Sequence, residues 1–360
     1  MRDLLLRLFP HRHPTGLIEI GNPGRDSPVM VTGNYTLTVR RMTRVLRGHD
    51  VHLLVADSGG INVWCAAGGG HFTHHDVVSV IRTSGISDLV DHRRVMLPQL
   101  GATGIERRYV ADKTGWDPHW GPAHLEDLAD VLDRDGRVPT ADRTVRFGIR
   151  DRVEMATVWA WPMALIGGAV GLAAGGFRLA AAVALTMGAI TSAVFALVGR
   201  VPLSGPRRFA TLGIIAVIGF GGAWAVMAAT TNVTTRDFIL IAGSAAVTAG
   251  LLAVDLPGTT PWYPSAMAKD RFVVELLSEA CTGAADCVTV CPRGVLRMNG
   301  KIRKVEITEP DRCIQCGACI VQCPEDALRF RRSDGRVIEP ETIRTTRLNL
   351  LGSRTIVVSH

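Results

Sequence analysis

Formal charge is missing from four long stretches of this 360-residue sequence: 155–177, 179–199, 209–235 and 238–254. Only Arg178, then Arg200 with Arg207 and Arg208, then Arg236 with Asp237 separate them. Each approaches the roughly 20 apolar residues that cross a bilayer core. The alternative is a buried helical core of a soluble protein, which is disfavoured because four consecutive charge-free runs of this length are rare outside membranes. A strongly basic block is also missing. The net charge of +7 divides into 20 basic against 19 acidic groups in 1–154, 5 against 2 in 155–268 and 15 against 12 in 269–360, so no nucleic-acid-binding face is expected. With 47% hydrophobic and 20% charged residues and a mean hydropathy of +0.20, the chain lacks the composition of a disordered protein. The opening MRDLLLRLFP stops at Pro10 with no small-residue cleavage site behind it, so it reads as a frayed terminus or a weak membrane-surface helix and not as a signal peptide.

What is present divides the chain into a tail (1–16), an N-terminal domain (17–154), a four-helix transmembrane domain (155–256), a linker (257–270) and a C-terminal domain (271–360). The expected spans are about 155–177, 179–199, 209–231 and 238–255, rich in Ala and Gly that permit close helix packing in lipid. Arg143, Arg146, Arg150, Arg152, the arginines of the 200–208 loop and Lys269 with Arg271 all fall on one side, which the positive-inside rule makes cytoplasmic. The chain is therefore expected in the cytoplasmic membrane with its N- and C-terminal domains facing each other in the cytoplasm.

Between Ile18 and Val153 short apolar runs alternate with helical ones. VHLLVAD (51–57), RRVMLP (93–98) and RRYVADK (107–113) read as buried strands, and DVVSVIRTS (76–84) and HLEDLADVLDR (124–134) as helices, with Thr73 and Asp76 forming a capping box. That alternation implies an α/β domain with a parallel, Rossmann-like sheet. Cys65 is the one cysteine before residue 281. A lone cysteine is more often a small buried hydrophobe than a ligand. Its setting, Trp64 before it and Ala66, Ala67, Gly68, Gly69 and Gly70 after it, instead suits the approach of a large planar ligand. His71, His74 and His75 offer an alternative metal site, against the simpler reading of a solvated helix start.

The other seven cysteines lie within 281–323. Cys313-x2-Cys316-x2-Cys319-x3-Cys323-Pro324 has the spacing of a bacterial two-cluster ferredoxin, an α+β domain in which the fourth thiolate of each run serves the other cluster. Cys281-x5-Cys287-x3-Cys291-Pro292 follows the same template, with Ala284 where the second cysteine belongs. Crossing the ligands assigns Cys313, Cys316, Cys319 and Cys291 to a 4Fe-4S cluster. Cys281, Cys287 and Cys323 remain for a 3Fe-4S cluster, or for a 4Fe-4S cluster whose odd iron binds a non-protein ligand. Asp286 is nearby but out of register. Zinc would not need the doubled spacing, and disulfides are disfavoured on the cytoplasmic side.

GNPGRDSPVMVTGNYTLT (21–38), DSGGINVWCAAGGG (57–70), DHRRVMLPQLGATG (91–104), WGPAHLEDL (120–128) and TTRLNLLGSRT (345–355) resemble the corrinoid protein of the bacterial mercury-methylation system joined to its two-cluster ferredoxin partner. The corrinoid domain of that system is similar to that of the corrinoid iron-sulfur protein of acetyl-CoA metabolism. The resemblance implies a corrinoid-binding domain holding a cobalamin-type corrinoid base-off, with Cys65 as axial cobalt ligand and catalytic residue. Asn62, Val63, Trp64, Ala66, Ala67 and Gly68, with Thr32 and Asn34, would contact the cofactor. It also implies methyl transfer from cobalt to Hg(II), reduction of Co(II) to Co(I) by the attached ferredoxin, a methyl-donor methyltransferase of one-carbon metabolism as partner, and an electron donor to the ferredoxin domain.

Two departures stand out. Gly69 replaces the lysine that ends the family's N-V/I-W-C-A-A/G-G-K motif, and the tail IVVSH lacks the cysteine pair with which the partner ferredoxin ends. The histidine signature D-x-H-x-x-G of other corrinoid proteins is absent too: Asp50-Val51-His52 begins it, but Val55 occupies the glycine place. Two other readings remain open: methyl transfer to a different thiophilic metal, metalloid or thiol, and a membrane-anchored electron-transfer protein with an N-terminal binding module.

Overall fold

The computed structural model describes residues 11–203, 206–259, 272–332, 334–348 and 354–356. The MRDLLLRLFP segment, most of the expected 257–270 linker and the residues after 356 lie outside them. The described residues form two compact units, one running from Arg146 to Thr259 and the other joining His11–Val145 with the residues from Phe272 onward.

The N-terminal module of the joined unit is built on five strands: β1 (Gly16–Ile20), β2 (Val29–Gly33), β3 (Val51–Ala56), β4 (Arg94–Leu97) and β5 (Asp117–Trp120), in the order β1-β3-β2-β4-β5. β2 to β5 run parallel, and β1 pairs antiparallel with β3 at the edge. Every residue of β2 and β3 is buried, as strands covered on both faces require. Alternate side chains divide between two cores. Val29, Val31, Leu54, Val95 and Leu97 meet α2 (Val63–Gly69), α3 (His74–Thr83) and Ile86 of α4 (Ile86–Leu89). Met30, Leu53, Val55 and Met96 meet α1 (Thr36–Val45) and α6 (Leu128–Leu132).

The expected strands at 51–57 and 93–98 and the helix at 76–84 are present as β3, β4 and α3, and the Asp76 carboxylate accepts from both the N–H and the hydroxyl of Thr73, at 2.7 and 2.8 Å. The helix expected over 124–134 is a 3₁₀ turn (Leu125–Asp127) leading into the short α6. The strand expected over 107–113 is wrong: these residues form helix α5 (Arg107–Thr114). Only Val110 of α5 is buried, a pattern suited to a helix lying on a sheet and not to a buried strand. The strand of this region is β5, whose Pro118 is tolerated because β5 lies at the sheet edge.

The second unit consists of α7 (Ile149–Leu197), α8 (Arg207–Thr230) and α9 (Thr235–Thr259), three helices long and apolar enough to cross a membrane. Their outward faces carry large apolar side chains, among them Ile166, Phe177, Val217 and Ile239. As one rod, the 49 residues of α7 would extend about 70 Å, roughly twice a bilayer core. Instead α7 doubles back at Gly175 (φ −155°, ψ 15°) and Gly176 (φ 79°, ψ −170°), the latter a conformation essentially reserved for glycine. The two limbs then pack antiparallel. The Arg152 guanidinium reaches the Ala196 carbonyl, the Thr191 hydroxyl reaches Met163 Sδ, and Gly171 lies so close to Ala180 that a Cβ would stand 2.8 Å from its Cα.

The C-terminal module contains β6 (Phe272–Leu276), α10 (Asp286–Val290), a hairpin of β7 (Leu296–Asn299) and β8 (Lys304–Ile307), α11 (Ala318–Val321), β9 (Leu328–Arg332), β10 (Val337–Ile338), α12 (Pro340–Thr345), and a second hairpin of β11 (Thr346–Leu348) and β12 (Arg354–Ile356). β9 lies between β6 and β10, antiparallel to both. Cys287 lies on α10 and Cys319 on α11, and the other five cysteines lie in the loops around these helices. Val290 and Ala318, which flank those loops, belong to the same buried cluster as β2 to β4 and α2. The N- and C-terminal regions, set out as separate domains by composition, therefore share a core.

Candidate cofactor sites

Helix α2 starts beyond the C-terminal end of β3. Asn62 caps it by accepting the Cys65 N–H at 3.0 Å, and Gly70 ends it with φ 81°. Val63, Ala66 and Ala67 are buried against the sheet, Trp64 and Gly68 are half-buried, and Cys65 is exposed. Glycine is needed at 104, where the chain packs on this helix: a Cβ there would stand 2.9 Å from the Ala67 carbonyl and 2.4 Å from that of Phe72. Cys65 is thus not a small core hydrophobe. Although its surface is open, the protein around it disfavours the thiolate and raises the thiol pKa, opposed by the hydrogen bond from Asn62.

Asn34 is buried beneath the loop that leads into α2. Its Oδ1 accepts from the N–H groups of Ser58 and Gly60, both at 2.9 Å, and from the Ser58 hydroxyl at 3.1 Å, while its Nδ2 donates to Asp57 at 3.0 Å. The Asn34 side chain is therefore committed to shaping the 57–60 loop. Thr32, buried on β2, lines a cavity of about 280 Å³ at the C-terminal ends of β2 and β4, together with Asn62, Val63, Trp64 and Gln99. Gln99 is 2% exposed; its Nε2 donates to the Arg143 carbonyl at 2.6 Å, and its Oε1 has no partner. An apolar recess with one unpaired buried acceptor and a surface thiol on its covering helix is compatible with a large, mostly apolar ligand approached by a single sulfur donor. The histidines after α2 serve differently. His74 and His75 pack against each other and against Tyr109 of α5 with tilted or edge-on rings, at centroid separations of 4.2 to 5.1 Å, while His71 is exposed.

In the C-terminal module Cys291, Cys313, Cys316 and Cys319 line one small cavity, the set obtained by crossing the two cysteine runs. Burial raises the Cys319 thiol pKa well above the ordinary value, reinforced by Cys291, Cys316 and Cys313. Cys287 is pushed up to about 12, first by burial, then by Cys323, with a smaller contribution from Cys281. Thiols gathered at this depth favour their protonated forms unless a cation replaces the protons, and iron does so outright. Backbone N–H groups already point at the sulfurs: Val295 to Cys291 at 3.3 Å, Gln315 to Cys313 at 3.4 Å and Ala327 to Cys323 at 3.2 Å. Among the described residues no three His, Cys, Asp or Glu side chains converge on a single-ion site. Thiolates that bind different irons of one cluster stand farther apart than ligands of one ion, so that result and the four-thiol cavity agree. The residues fit one complete 4Fe-4S set and one set of three thiolates.

The two modules are fastened beside these cysteines. Gln322, buried and next to Cys323, donates from Nε2 to the carbonyls of Ala102 (2.8 Å) and Ile105 (2.7 Å) and accepts the Arg107 N–H at 3.2 Å. Asp286, next to Cys287, pairs with the Arg107 guanidinium at 3.0 Å. The Val145 N–H reaches the carbonyl of Pro292, which follows Cys291, at 2.9 Å. Sequence reasoning missed Gln99, Arg107 and Gln322. The last is marked only by its place before a cysteine, since its partners lie more than 200 residues away.

Residues 8–132 match the family described as CO dehydrogenase/acetyl-CoA synthase delta subunit, and residues 280–327 match the 4Fe-4S dicluster domain. Among curated proteins, the acetyl-CoA decarbonylase/synthase complex subunit gamma of Methanopyrus kandleri is 37% identical over 129 residues, 35% of this chain and 28% of that protein. The corresponding subunit of Methanocaldococcus jannaschii is 36% identical over 125 residues, 34% of this chain and 25% of that protein. The corrinoid/iron-sulfur protein large subunit of Moorella thermoacetica is 30% identical over 121 residues, 33% and 27% of the two chains. The chain thus spans about a quarter of the length of these relatives. Its N-terminal module is a domain like those of corrinoid iron-sulfur proteins, and its C-terminal module is a 4Fe-4S dicluster domain.

Proposed function

We propose that this chain is a membrane-anchored, corrinoid-dependent methyltransferase that carries its own reductant and delivers the methyl group to Hg(II). The observation that carries this reading is Cys65: a lone cysteine, exposed on a capped helix beyond the C-terminal end of a parallel sheet, beside a mainly apolar cavity. A cobalamin-type corrinoid bound there would supply the methyl-carrying centre, the chemistry that a protein lends geometry to and does not itself perform. The Cys65 sulfur would hold its cobalt. Asn62 fixes the first turn of α2 so that the sulfur faces outward, Val63, Ala66 and Ala67 hold the helix to the sheet, and Trp64, Thr32 and Gln99 wall the recess. Asn34 acts one layer below, through the loop that sets where α2 begins. The seven C-terminal cysteines would hold the clusters that return electrons to the cofactor, and Gln322 with Arg107 and Asp286 keeps that route within one chain.

In this reading the two limbs of α7, with α8 and α9, cross the cytoplasmic membrane four times, and both ends of the joined unit are cytoplasmic. A methyl-donor methyltransferase and an external electron donor complete the cycle. Gly69, in place of the lysine of the family motif, favours a second acceptor class, another thiophilic metal, metalloid or thiol.

The test is anaerobic reconstitution of the full chain with a corrinoid, a methyl donor and Hg(II), with methylmercury measured directly. Cys65→Ala should keep the fold, because the side chain is small and exposed, yet abolish the sulfur-ligated cobalt spectrum and reduce turnover at least a hundredfold. Unchanged turnover in that variant would remove Cys65 from the mechanism. A wild-type protein that binds corrinoid normally but makes no methylmercury would move the reading to the second acceptor class.

A further inference from the structure

The two cysteine loops repeat each other at an interval of 32 residues, from 281 to 313, 287 to 319 and 291 to 323. Their backbones repeat as well. Left-handed conformations recur at matching places: Gly283 (φ 83°) with Gln315 (59°), Ala285 (66°) with Gly317 (83°), and Gly294 (61°) with Asp326 (51°). Helices α10 and α11 start one residue after Ala285 and Gly317, and the N–H four residues beyond Cys291 and Cys323 reaches each sulfur. Residue 284 therefore occupies the place of Cys316, with a methyl group where its twin has a thiol. The loop has not been rebuilt to bring in a substitute, and Asp286, the nearby carboxylate, is held by Arg107.

Surroundings separate the two positions. Cys316 is partly buried against the core of the N-terminal module, whereas Ala284 is exposed. The Ala284 loop rests against the β7–β8 hairpin, where a Cβ on Gly283 would stand 2.0 Å from the Arg303 carbonyl. The far end of that hairpin carries Lys301 and Arg303, both exposed, and Lys304, whose ammonium donates to the Ser278 carbonyl at 2.6 Å; Glu279 is the carboxylate nearest to Cys281 in sequence.

We infer that the cluster held by Cys281, Cys287 and Cys323 is a 4Fe-4S cluster with one iron open to solvent at position 284, and that this iron is a binding site for a small exogenous thiolate. A 4Fe-4S cluster ordinarily takes four cysteine thiolates, so two clusters call for eight; here the residues supply seven. An iron already bonded to sulfide prefers a soft donor, and the basic hairpin favours an anion. Without a thiol, one-electron oxidation by an added oxidant such as ferricyanide takes an electron from the [4Fe-4S]²⁺ core and releases the open iron as Fe(II), leaving [3Fe-4S]⁺.

The experiment uses the full chain, purified anaerobically in detergent and enriched in ⁵⁷Fe, with 2-mercaptoethanol as the probe. It requires no corrinoid, so its result is independent of the methyl-transfer reading. Mössbauer spectra should show one iron whose parameters shift on adding the thiol. In separate, thiol-free samples ferricyanide should release about one Fe(II) per chain and produce a 3Fe-4S EPR signal, reversed by Fe(II) under reducing conditions. Ala284→Cys, at an exposed position with its twin's backbone, should abolish both responses. Three results overturn the inference: two clusters indifferent to thiol and ferricyanide in the wild type, a 3Fe-4S centre that takes up no iron on reduction, or a thiol response that survives in Ala284→Cys.

Discussion

In the joined unit, buried amide side chains set positions by pairing with backbone groups from distant segments: Asn34 holds the 57–60 loop under α2, and Gln322 ties the cysteine module to the 102–107 turn. In the helical unit of α7 to α9, positions are set largely by side chains that are missing. Gly171 lets the limbs of α7 touch backbone to backbone, Gly167 leaves room for the Met187 and Val183 side chains, and Gly175 with Gly176 makes the reversal between the limbs. On the proposed membrane placement of α7 to α9, the difference follows from the solvent. In water, burying apolar surface drives assembly, and a buried polar group must find a partner, which makes its placement specific. In lipid, apolar surface has no preference for protein over acyl chains, so close packing of small residues becomes the main source of specificity.

The sharpest way to break this comparison is Gly171→Leu. A side chain there meets the Ala180 backbone, which cannot move aside as a flexible side chain would, so the cost should exceed about 4 kcal/mol and the hairpin should fail to assemble. Detergent-extracted protein should unfold far below the wild-type temperature by circular dichroism, while the joined unit, released by proteolysis, keeps its iron-sulfur absorption. Asn34→Ala should come next. It leaves the buried N–H groups of Ser58 and Gly60 unpaired, a loss on the order of 3 kcal/mol at 1–3 kcal/mol per buried donor. Hydrogen exchange should rise first at 57–65, and corrinoid affinity should fall with it. Gln322→Leu keeps bulk but removes the donors to Ala102 and Ile105, and should cost about 2 kcal/mol. Its effect should appear as faster exchange at 102–108 with both cluster spectra intact; unchanged exchange there would show that the shared apolar core alone holds the modules together.

Legibility varied with the range of the interaction. The α7 reversal was nearly readable, because Arg178 interrupts the apolar pattern two residues after Gly176, yet the turn itself is made by the glycines. The segment 107–113 misled because YVA is locally compatible with a strand; its helix follows from having one buried residue facing the sheet, a fact that appears only once β5 has taken the edge. The loop-shaping bonds of Asn34 were not legible, since its partners lie 23 to 26 positions downstream across a strand and a helix.

The sequence alone determined the number and spacing of the cysteines, the missing thiolate at Ala284 and the charge-free runs. These depend on chemistry within a few residues or on composition over a span, and neither changes with the path of the chain. The tertiary structure decided that Cys65 is exposed, that Gln99 keeps an unpaired oxygen beside the cavity, that Asp286 is held by Arg107, and that Cys316 is partly buried while Ala284 faces solvent. Exposure and pairing are properties of surfaces brought together from opposite ends of the chain, and no local pattern encodes which surface arrives.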